Sequence, residues 1–152
     1  MKIVCFHNPN EENGYLSNWY LSSFVIDNVT FSSMEQYMMY QKAKAFGDSR
    51  IAAQILEAQD VAYIKTLGRL VSGYDDHYWN GIRQIIVYEG LKEKFFQNTE
   101  LKNLLKGTGS AVLAECAVKD RIWGIGLSMH DPNRFDRSQW LGQNLLGYSL
   151  MM

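Results

Sequence analysis

The segment DDHYWNGIRQIIVYEGLKEKFFQN, residues 75–98, is the longest stretch of helical periodicity in the chain. Five of its residues recur at intervals that place them on one side of a helix: Trp79, Ile82, Arg83, Ile86 and Gly90. The segment therefore predicts one long helix. A chain of 152 residues that contains such a helix and only short strand patterns has to build its core mainly from helices.

The flanking patterns predict short strands and further helices. KIVCF predicts a strand, and SFVIDNVTF alternates around Asp27–Asn28 as a β-hairpin does. Helices are predicted over residues 32–46, after Gly47 with Asp48 or Ser49 as cap, over DVAYIKTLGRLV, and over TELKNLLK before Gly107. A further strand is predicted over AVLAEC, and a loop that contains several glycines is predicted from DRIWGIGL to WLGQN. The last helix is predicted over LLGYSLMM. The fold class is therefore α+β: one helix-rich domain, residues 1–152, with a small β-hairpin or sheet.

Composition and charge exclude several classes of protein. With 47% hydrophobic and 20% charged residues the chain is typical of a globular domain. A net charge of −1 argues against broad phosphate neutralisation along a nucleic acid. Cys5 and Cys116 form no CxxC pair, and the three histidines show no metal-ligand spacing, so we expect neither a disulfide nor a metal site. The short apolar N-terminus resembles no signal peptide and no stretch is long enough to cross a membrane, so a cytoplasmic location is expected.

The predicted helix over residues 32–46 carries two charges that interrupt an apolar side. At about 100° per residue, Lys42 returns to within roughly 20° of Glu35, on the side of the methionines. Lys44 points the opposite way, nearer Tyr37. Glu35 and Lys42 stand about 10 Å apart along the axis, which is too far for a normal helix pair and wide enough for part of a small ligand.

A purely structural interpretation of both charges is also open. Ser32-x-x-Glu35 matches a capping box, in which the carboxylate reaches back to the first backbone amides. Lys42 can extend its ammonium to water along the methionine side chains. Position alone leaves both interpretations standing.

Five motifs in order carry a resemblance to a known family. They are GYLSNWY, FSSMEQYMMYQKA, LGR at residues 67–69, DRIWGIG at residues 120–126 and WLGQNLLG at residues 140–147. With this set the chain resembles the NADAR/YbiA-like family from about Cys5 to its last residue. The resemblance implies a metal-free N-glycosidase that needs no cofactor. Members of the family cut the bond between ribose C1 and a base, acting on phosphoribosylamino-pyrimidine intermediates of riboflavin synthesis or removing ADP-ribose from modified guanine.

The resemblance also implies site residues, residue by residue. It marks Glu35, Lys42 and Asp120 as catalytic. It marks as substrate-binding, pocket or framework positions Asn18, Trp19, Arg69, Trp79, Trp123, Gly124 and Asn144. After Trp123 the residues Gly-Ile-Gly-Leu, 124–127, stand where riboflavin-type members have an acidic, glycine-rich stretch.

The chemistry of N-glycoside cleavage explains these residue types. The sugar becomes oxocarbenium-like and the base departs with negative charge, so a carboxylate and a proton donor are needed. A lysine on an apolar side has a lowered pKa and can attack C1 as a free amine; the resemblance implies that such a lysine forms a Schiff base. Trp79 and Trp123 are candidates for stacking on the base. Each also has a plain alternative: Trp79 as a core residue, Asp120 as a loop acid, and Arg69 as partner of Asp75 or Asp76.

The sequence leaves three functions open. The favoured one is removal of ADP-ribose from ADP-ribosylated guanine, whether free or in nucleic acid. The second is hydrolysis of reactive riboflavin intermediates. The third is a module that binds ADP-ribose or NAD without cleaving it, which would have no use for a desolvated amine.

Overall fold

The computed structural model describes residues 1–152 and confirms the helix-rich α+β class. The strands are β1 (Ile3–Phe6), β2 (Leu21–Ile26), β3 (Val29–Ser33) and β4 (Val112–Glu115). The helices are α1 (Met34–Ala45), α2 (Ser49–Glu57), α3 (Val61–Arg69), α4 (Asp76–Phe96), α5 (Thr99–Lys106) and α6 (Leu145–Met151). Short 3₁₀ turns lie at Gly14–Leu16, Pro132–Phe135 and Arg137–Gln139, the last two inside the predicted loop.

The contacts within the chain group into two compact units. The discontinuous unit contains Met1–Tyr20 and Thr99–Met152, and the central unit contains Leu21–Asn98. The prediction of a single domain over residues 1–152 stays a prediction.

The discontinuous unit is built on a parallel strand pair. β1 pairs with β4 so that Ile3 lies opposite Val112 and Phe6 opposite Glu115. α6 packs against β4. A buried cluster of Cys5, Ala114, Cys116, Ile125 and Leu127 forms part of its core. Both cysteines are free thiols.

The central unit begins with the predicted hairpin. β2 and β3 pair antiparallel, and the two turn residues Asp27 and Asn28 have φ values of 51° and 65°. Positive φ at both positions is what the tight hairpin turn requires, and Asp and Asn tolerate it better than most residues. The side-chain amide of Gln97 then bonds both the N–H and the C=O of Val25, which satisfies the outer edge of β2.

α1 is the central element of this unit, and α2, α3 and α4 all pack against it. α4 approaches closely because Gly90 presents no side chain; a methyl group there would lie 2.6 Å from a ring carbon of Tyr37. The α4 boundaries agree with the predicted long helix. Its buried side is rotated from the predicted one, since Ile82, Arg83 and Ile86 are only partly buried while these residues are buried: Trp79, Val87, Gly90, Leu91, Lys94 and Phe95.

Candidate functional site

The first turn of α1 is capped by side chains other than that of Glu35 in the hydrogen bonds that follow. Ser33 is the N-cap, and its hydroxyl oxygen accepts a hydrogen bond from the backbone N–H of Gln36 at 3.1 Å. The side-chain oxygen of Gln36 accepts in turn from the backbone N–H of Ser32 at 2.7 Å. The cap is therefore Ser33 rather than Ser32, Gln36 bonds the N–H of the residue before the cap, and the helix starts at Met34. The prediction that Ser32 is the cap is wrong, and the role of Glu35 stays a prediction.

Glu35 is buried, with 5% of its surface exposed. Its helix is buried nearly all round rather than on one apolar side: Met34, Glu35, Gln36, Tyr37, Met38, Met39 and Ala43 are all buried. Tyr37, which is nearer to Lys44 on the helix, is buried and packs edge-on against Phe24 and Phe31. Lys44 is exposed as expected. Burying a carboxylate in such surroundings costs free energy unless a partner or a function compensates for it.

Lys42 lies two turns after Glu35 and is half-buried. Burial lowers the pKa of its amine, the charge of Glu35 opposes that effect, and the like charge of Arg69 adds to it. The Lys42 Nζ also lies 4.6 Å from the centre of the Tyr74 ring, a contact that favours the ammonium form. The net direction is a pKa below the ordinary value, so a larger fraction of this amine is uncharged than in an exposed lysine.

Arg69 ends α3 and is exposed. The predicted alternative, a pair with Asp75 or Asp76, is not formed. Asp75 caps α4 through the backbone N–H of Tyr78, and Asp76 accepts from the hydroxyl of Tyr74 at 2.7 Å. Glu35, Lys42 and Arg69 are thus brought together in the central unit, where the charges of Glu35 and Arg69 both act on the Lys42 amine.

Aromatic rings beside Lys42 escaped the sequence prediction. Phe46 packs against Tyr74 and Tyr78 with ring centres 5.3 and 5.8 Å apart. Tyr74 is 43% exposed and Tyr78 is 53% exposed. Exposed rings next to an amine can hold a flat ligand by stacking. In the sequence these two tyrosines, which flank Asp75–Asp76, cannot be distinguished from ordinary surface tyrosines.

Trp79, the predicted stacking residue of this unit, is buried with 6% of its surface exposed. It lies in the first turn of α4, one residue after Tyr78. Its burial agrees with a core position, and its role in binding stays a prediction.

In the discontinuous unit Asp120 organises a tight turn. One oxygen of its carboxylate accepts from the backbone N–H groups of Ile122 at 3.0 Å and Trp123 at 2.9 Å. Trp123 is partly buried. The carboxylate therefore fixes the start of the DRIWG motif, and it is partly buried itself. Its predicted catalytic role is not tested by this bonding.

Gly124 and Asn144 are both buried in framework positions. A methyl group on Gly124 would lie 2.8 Å from the carbonyl oxygen of Asp120 and 3.0 Å from that of Glu115. Asn144 has a left-handed backbone, φ 54°, and no exposed surface. Its amide accepts from the Glu115 N–H at 3.0 Å and donates to the Leu113 carbonyl at 2.8 Å. Asn144 thus fixes β4, which fits the framework interpretation.

Asn18 and Trp19 lie in the N-terminal segment of the same unit. Asn18 is 7% exposed, and its side-chain oxygen is buried without a hydrogen-bond partner. Trp19 is partly buried, and its backbone N–H donates to the Ser17 hydroxyl at 3.1 Å. A buried amide oxygen without a partner costs free energy, as expected for a group that a ligand satisfies.

Three further observations concern pockets, metal binding and membrane spans. A groove of about 390 Å³ lies along the β2–β3 hairpin and the end of α2, and none of the predicted site residues lines it. No group of three or more His, Cys, Asp or Glu side chains is arranged to bind a metal ion. No helix is long and apolar enough to cross a membrane.

Comparison with known proteins identifies relatives along nearly the whole chain. The NADAR domain model matches residues 5–152. The chain is 36% identical to the N-glycosidase R617 of Acanthamoeba polyphaga mimivirus, over 99% of this chain and 93% of that protein. It is 28% identical to the N-glycosidase YbiA of Escherichia coli (strain K12), over 98% of this chain and 84% of that protein.

A third relative has a different name and a longer chain. The riboflavin biosynthesis protein VVA0006 of Vibrio vulnificus is 34% identical over 98% of this chain, which spans 37% of that protein. Among solved structures, the NMR structure of E. coli YbiA matches with a TM-score of 0.80 and 27% identity, covering 99% of this chain and 81% of that one. The fold is therefore the one seen in YbiA.

Proposed function

The chain belongs to the NADAR family, and we propose that it is an N-glycosidase that removes ADP-ribose from ADP-ribosylated guanine. N-glycosidase is the activity named for the mimivirus and E. coli relatives. The observation that carries the proposal is the placement of Glu35 and Lys42 on α1, with an amine whose pKa burial lowers.

Lys42 is the proposed nucleophile. Its uncharged amine attacks C1 of the ribose, the bond from C1 to the base nitrogen breaks, and the base leaves with the electron pair and takes up a proton. The bond from C1 to the ring oxygen then breaks, the ring oxygen takes up the proton that the attached nitrogen gave to Glu35, and a protonated imine forms at C1. Water attacks this imine, which restores the amine and releases the sugar in its opened form. Glu35 stabilises the positive charge that develops at C1 and accepts a proton from the attacking group.

Arg69 supports an anionic substrate. Two cations, Lys42 and Arg69, lie close enough for one to lower the pKa of the other, and no protein carboxylate forms an ion pair with Arg69. A guanidinium binds phosphate oxygens in a bidentate manner, so the pyrophosphate of ADP-ribose fits this position. The exposed ring of Tyr74 offers a stacking surface beside the same amine.

The second candidate is hydrolysis of phosphoribosylamino-pyrimidine intermediates. The name of the Vibrio vulnificus relative favours it. Both substrates present a ribose C1 bonded to nitrogen, so the same amine serves either reaction. The residues 124–127, Gly-Ile-Gly-Leu, depart from the riboflavin-type pattern and favour the ADP-ribosyl substrate. A module that only binds ADP-ribose would not need an amine of lowered pKa on a buried helix.

The test is to incubate the protein separately with ADP-ribosylated guanosine and with a phosphoribosylamino-pyrimidine, and to measure the released base by chromatography. The proposal predicts release from the first substrate at a higher kcat/KM than from the second. Release from neither, with ADP-ribose binding intact by calorimetry, would instead support the binding module. Lys44→Ala is the matched control for Lys42→Ala, because Lys44 lies on the same helix as Lys42 and is exposed.

A further inference from the structure

The ring of Tyr74 lies against the amine of Lys42. The Lys42 Nζ atom is 4.6 Å from the centre of this ring. Phe46, the C-cap of α1, packs against the same ring with ring centres 5.3 Å apart and planes inclined by 68°. The helix that carries the amine therefore also carries a residue that packs against the Tyr74 ring.

The hydroxyl of Tyr74 is fixed by α4. It donates to the Oδ1 atom of Asp76 at 2.7 Å, and the side-chain amide of Asn80 donates to the Oδ2 atom at 3.2 Å. Arg83 in turn donates to the amide oxygen of Asn80 at 2.7 Å. Asp76 lies in the first turn of α4, where the helix dipole favours a negative charge. Three hydrogen bonds thus hold the far end of the ring that contacts Lys42.

The bond to Asp76 also changes the electronic character of the ring. A phenol that donates to a carboxylate is polarised toward phenolate, which adds electron density to the ring. The negative face of an aromatic ring is the part that attracts a cation. Burial and the hydrogen bond to Asp76 raise the pKa of the Tyr74 hydroxyl, so this group keeps its proton and remains a donor.

Several elements of the central unit act on the charge of the Lys42 nitrogen. Burial lowers the pKa of this amine, the charge of Glu35 on α1 raises it, and the charge of Arg69 on α3 lowers it. The Tyr74 ring, in the turn before α4, contacts the nitrogen directly and favours the charged form. The ring therefore offsets part of the cost of placing a positive charge on a half-buried nitrogen.

We propose that the Tyr74 ring stabilises the positive charge that Lys42 Nζ acquires during N-glycoside cleavage, and that Asp76 is the positioning residue that holds the ring; this inference rests on the proposed function. The Nζ lone pair forms the bond to C1, the base leaves with the electron pair of the broken bond, and Nζ becomes positively charged. It loses this charge with the proton that Glu35 accepts, and it is charged again in the protonated imine. The attacking amine is neutral, so the contact with the ring favours the transition state over the ground state.

The first test replaces Tyr74 with phenylalanines that carry zero, one, two or three ring fluorines. Each fluorine weakens the negative face of the ring with little change in its size. On the alkaline plateau, where the amine is uncharged in every variant, the single-turnover rate on ADP-ribosylated guanosine is expected to fall stepwise, by about 3 to 30-fold across the series. Equal rates in all four proteins would overturn the proposal.

Tyr74→Leu separates charge stabilisation from stacking on the substrate. Loss of the contact with Nζ should lower kcat by about 3 to 30-fold. A raised KM with unchanged kcat would show that the ring only stacks on the substrate, and would overturn the proposal. Tyr63→Leu is the matched control, because Tyr63 lies on α3 and is 52% exposed. Both of its constants should remain those of the wild type.

The role of Asp76 is tested by Asp76→Asn in two backgrounds. In the otherwise wild-type protein the substitution should lower kcat by about 2 to 5-fold, because the ring becomes a weaker partner for the cation. In the Tyr74→Phe protein the hydroxyl is absent, so the same substitution should have no further effect. Equal effects in the two backgrounds would show that Asp76 does not act through Tyr74.

A titration that needs no turnover separates this inference from the proposed function. NMR after reductive methylation with isotope-labelled formaldehyde follows the Lys42 amine, whose signal is identified by its loss in Lys42→Ala. Tyr74→Leu should weaken proton binding by this amine about 2 to 5-fold, and Tyr63→Leu should leave it unchanged. A wild-type protein that cleaves neither substrate overturns the proposed function, and the catalytic role of the ring with it. An active wild-type protein whose Lys42 titration is the same in Tyr74→Leu overturns this inference alone.

Discussion

The Ser33 hydroxyl accepts the backbone N–H of Gln36 at 3.1 Å, so the pair that caps α1 is Ser33 and Gln36. The neighbouring Glu35 is buried one position away from the cap. Gln36 therefore bonds the backbone at the start of α1, and Ser32 is not the cap that the Ser32-x-x-Glu35 pattern predicts.

Glu35→Gln should abolish turnover and leave the free energy of unfolding nearly unchanged, because the variant keeps the shape but loses the negative charge near the amine. Ser33→Ala should do the reverse: it should cost about 1 kcal/mol of stability through the lost cap and leave kcat intact. Chemical denaturation and base release measure the two effects. A Glu35→Gln protein that keeps turnover but loses about 1 kcal/mol would return Glu35 to a structural role.

Gly90→Ala should destabilise the central unit by about 1–3 kcal/mol, because the added methyl overlaps the Tyr37 ring and Met34. Gly81→Ala on the same helix meets no atom within 4 Å and should stabilise by about 0.5–1 kcal/mol. Denaturation midpoints of the two variants give the comparison. Equal effects at both glycines would show that α4 does not approach α1 this closely.

Lys94 should make stability depend on pH. It has no exposed surface, and burial lowers its pKa from 10.5 to about 7. Between these two values the unfolded chain binds more protons than the folded one, so the free energy of unfolding rises with pH, by at most about 1.4 kcal/mol per unit. The contribution of Lys94 to the free energy of unfolding is complete above pH 10.5 and is lost as the pH falls through about 7.

The variant Lys94→Met should abolish this rise, as followed by denaturation at several pH values from 7 to 10.5. Lys92→Met is the control, because Lys92 lies on the same helix with a side chain that is 54% exposed. The free energy of unfolding of Lys92→Met should change with pH as that of the wild type does. Parallel curves for all three proteins would contradict the assignment.

Arg69→Ala should raise KM for ADP-ribosylated guanosine about 10 to 100-fold with little change in kcat, because a charge-assisted contact to phosphate is worth about 1.5–3 kcal/mol. Arg50→Ala, an exposed arginine on α2, should change neither constant. Initial-rate kinetics on the purified variants measure KM and kcat separately. If Arg69→Ala lowers kcat and leaves KM unchanged, the arginine does not bind the phosphates.

The local elements were predictable because their signals are local. The hairpin follows from Asp27–Asn28, whose residue types tolerate the positive φ of the turn. Asp48 was one of two predicted caps for α2 and is the one that accepts the backbone N–H of Ile51. The cap of the first helix is one residue later than predicted, because Ser32 and Ser33 are both good caps and only the geometry selects between them.

The remaining features depend on long-range packing. Periodicity cannot show that α1 is buried nearly all round, since Glu35 and Gln36 look like surface residues in the sequence. The burial of Lys94 is hidden for the same reason. The His7 Nδ1 and Glu115 Oε1 atoms lie 3.3 Å apart although these residues are separated by 108 positions, so no spacing pattern relates them. Tyr74 is placed beside Lys42 by the turn between α3 and α4, which the motifs do not include.

The most direct test of the central claim is to add borohydride during turnover of ADP-ribosylated guanosine and to determine the mass of the protein and of its Lys42 peptide. We expect a permanent mass gain on Lys42 from the reduced imine, absent in Lys42→Ala and unchanged in Lys44→Ala. Full turnover with no trapped adduct, or an adduct that persists in Lys42→Ala, would contradict it.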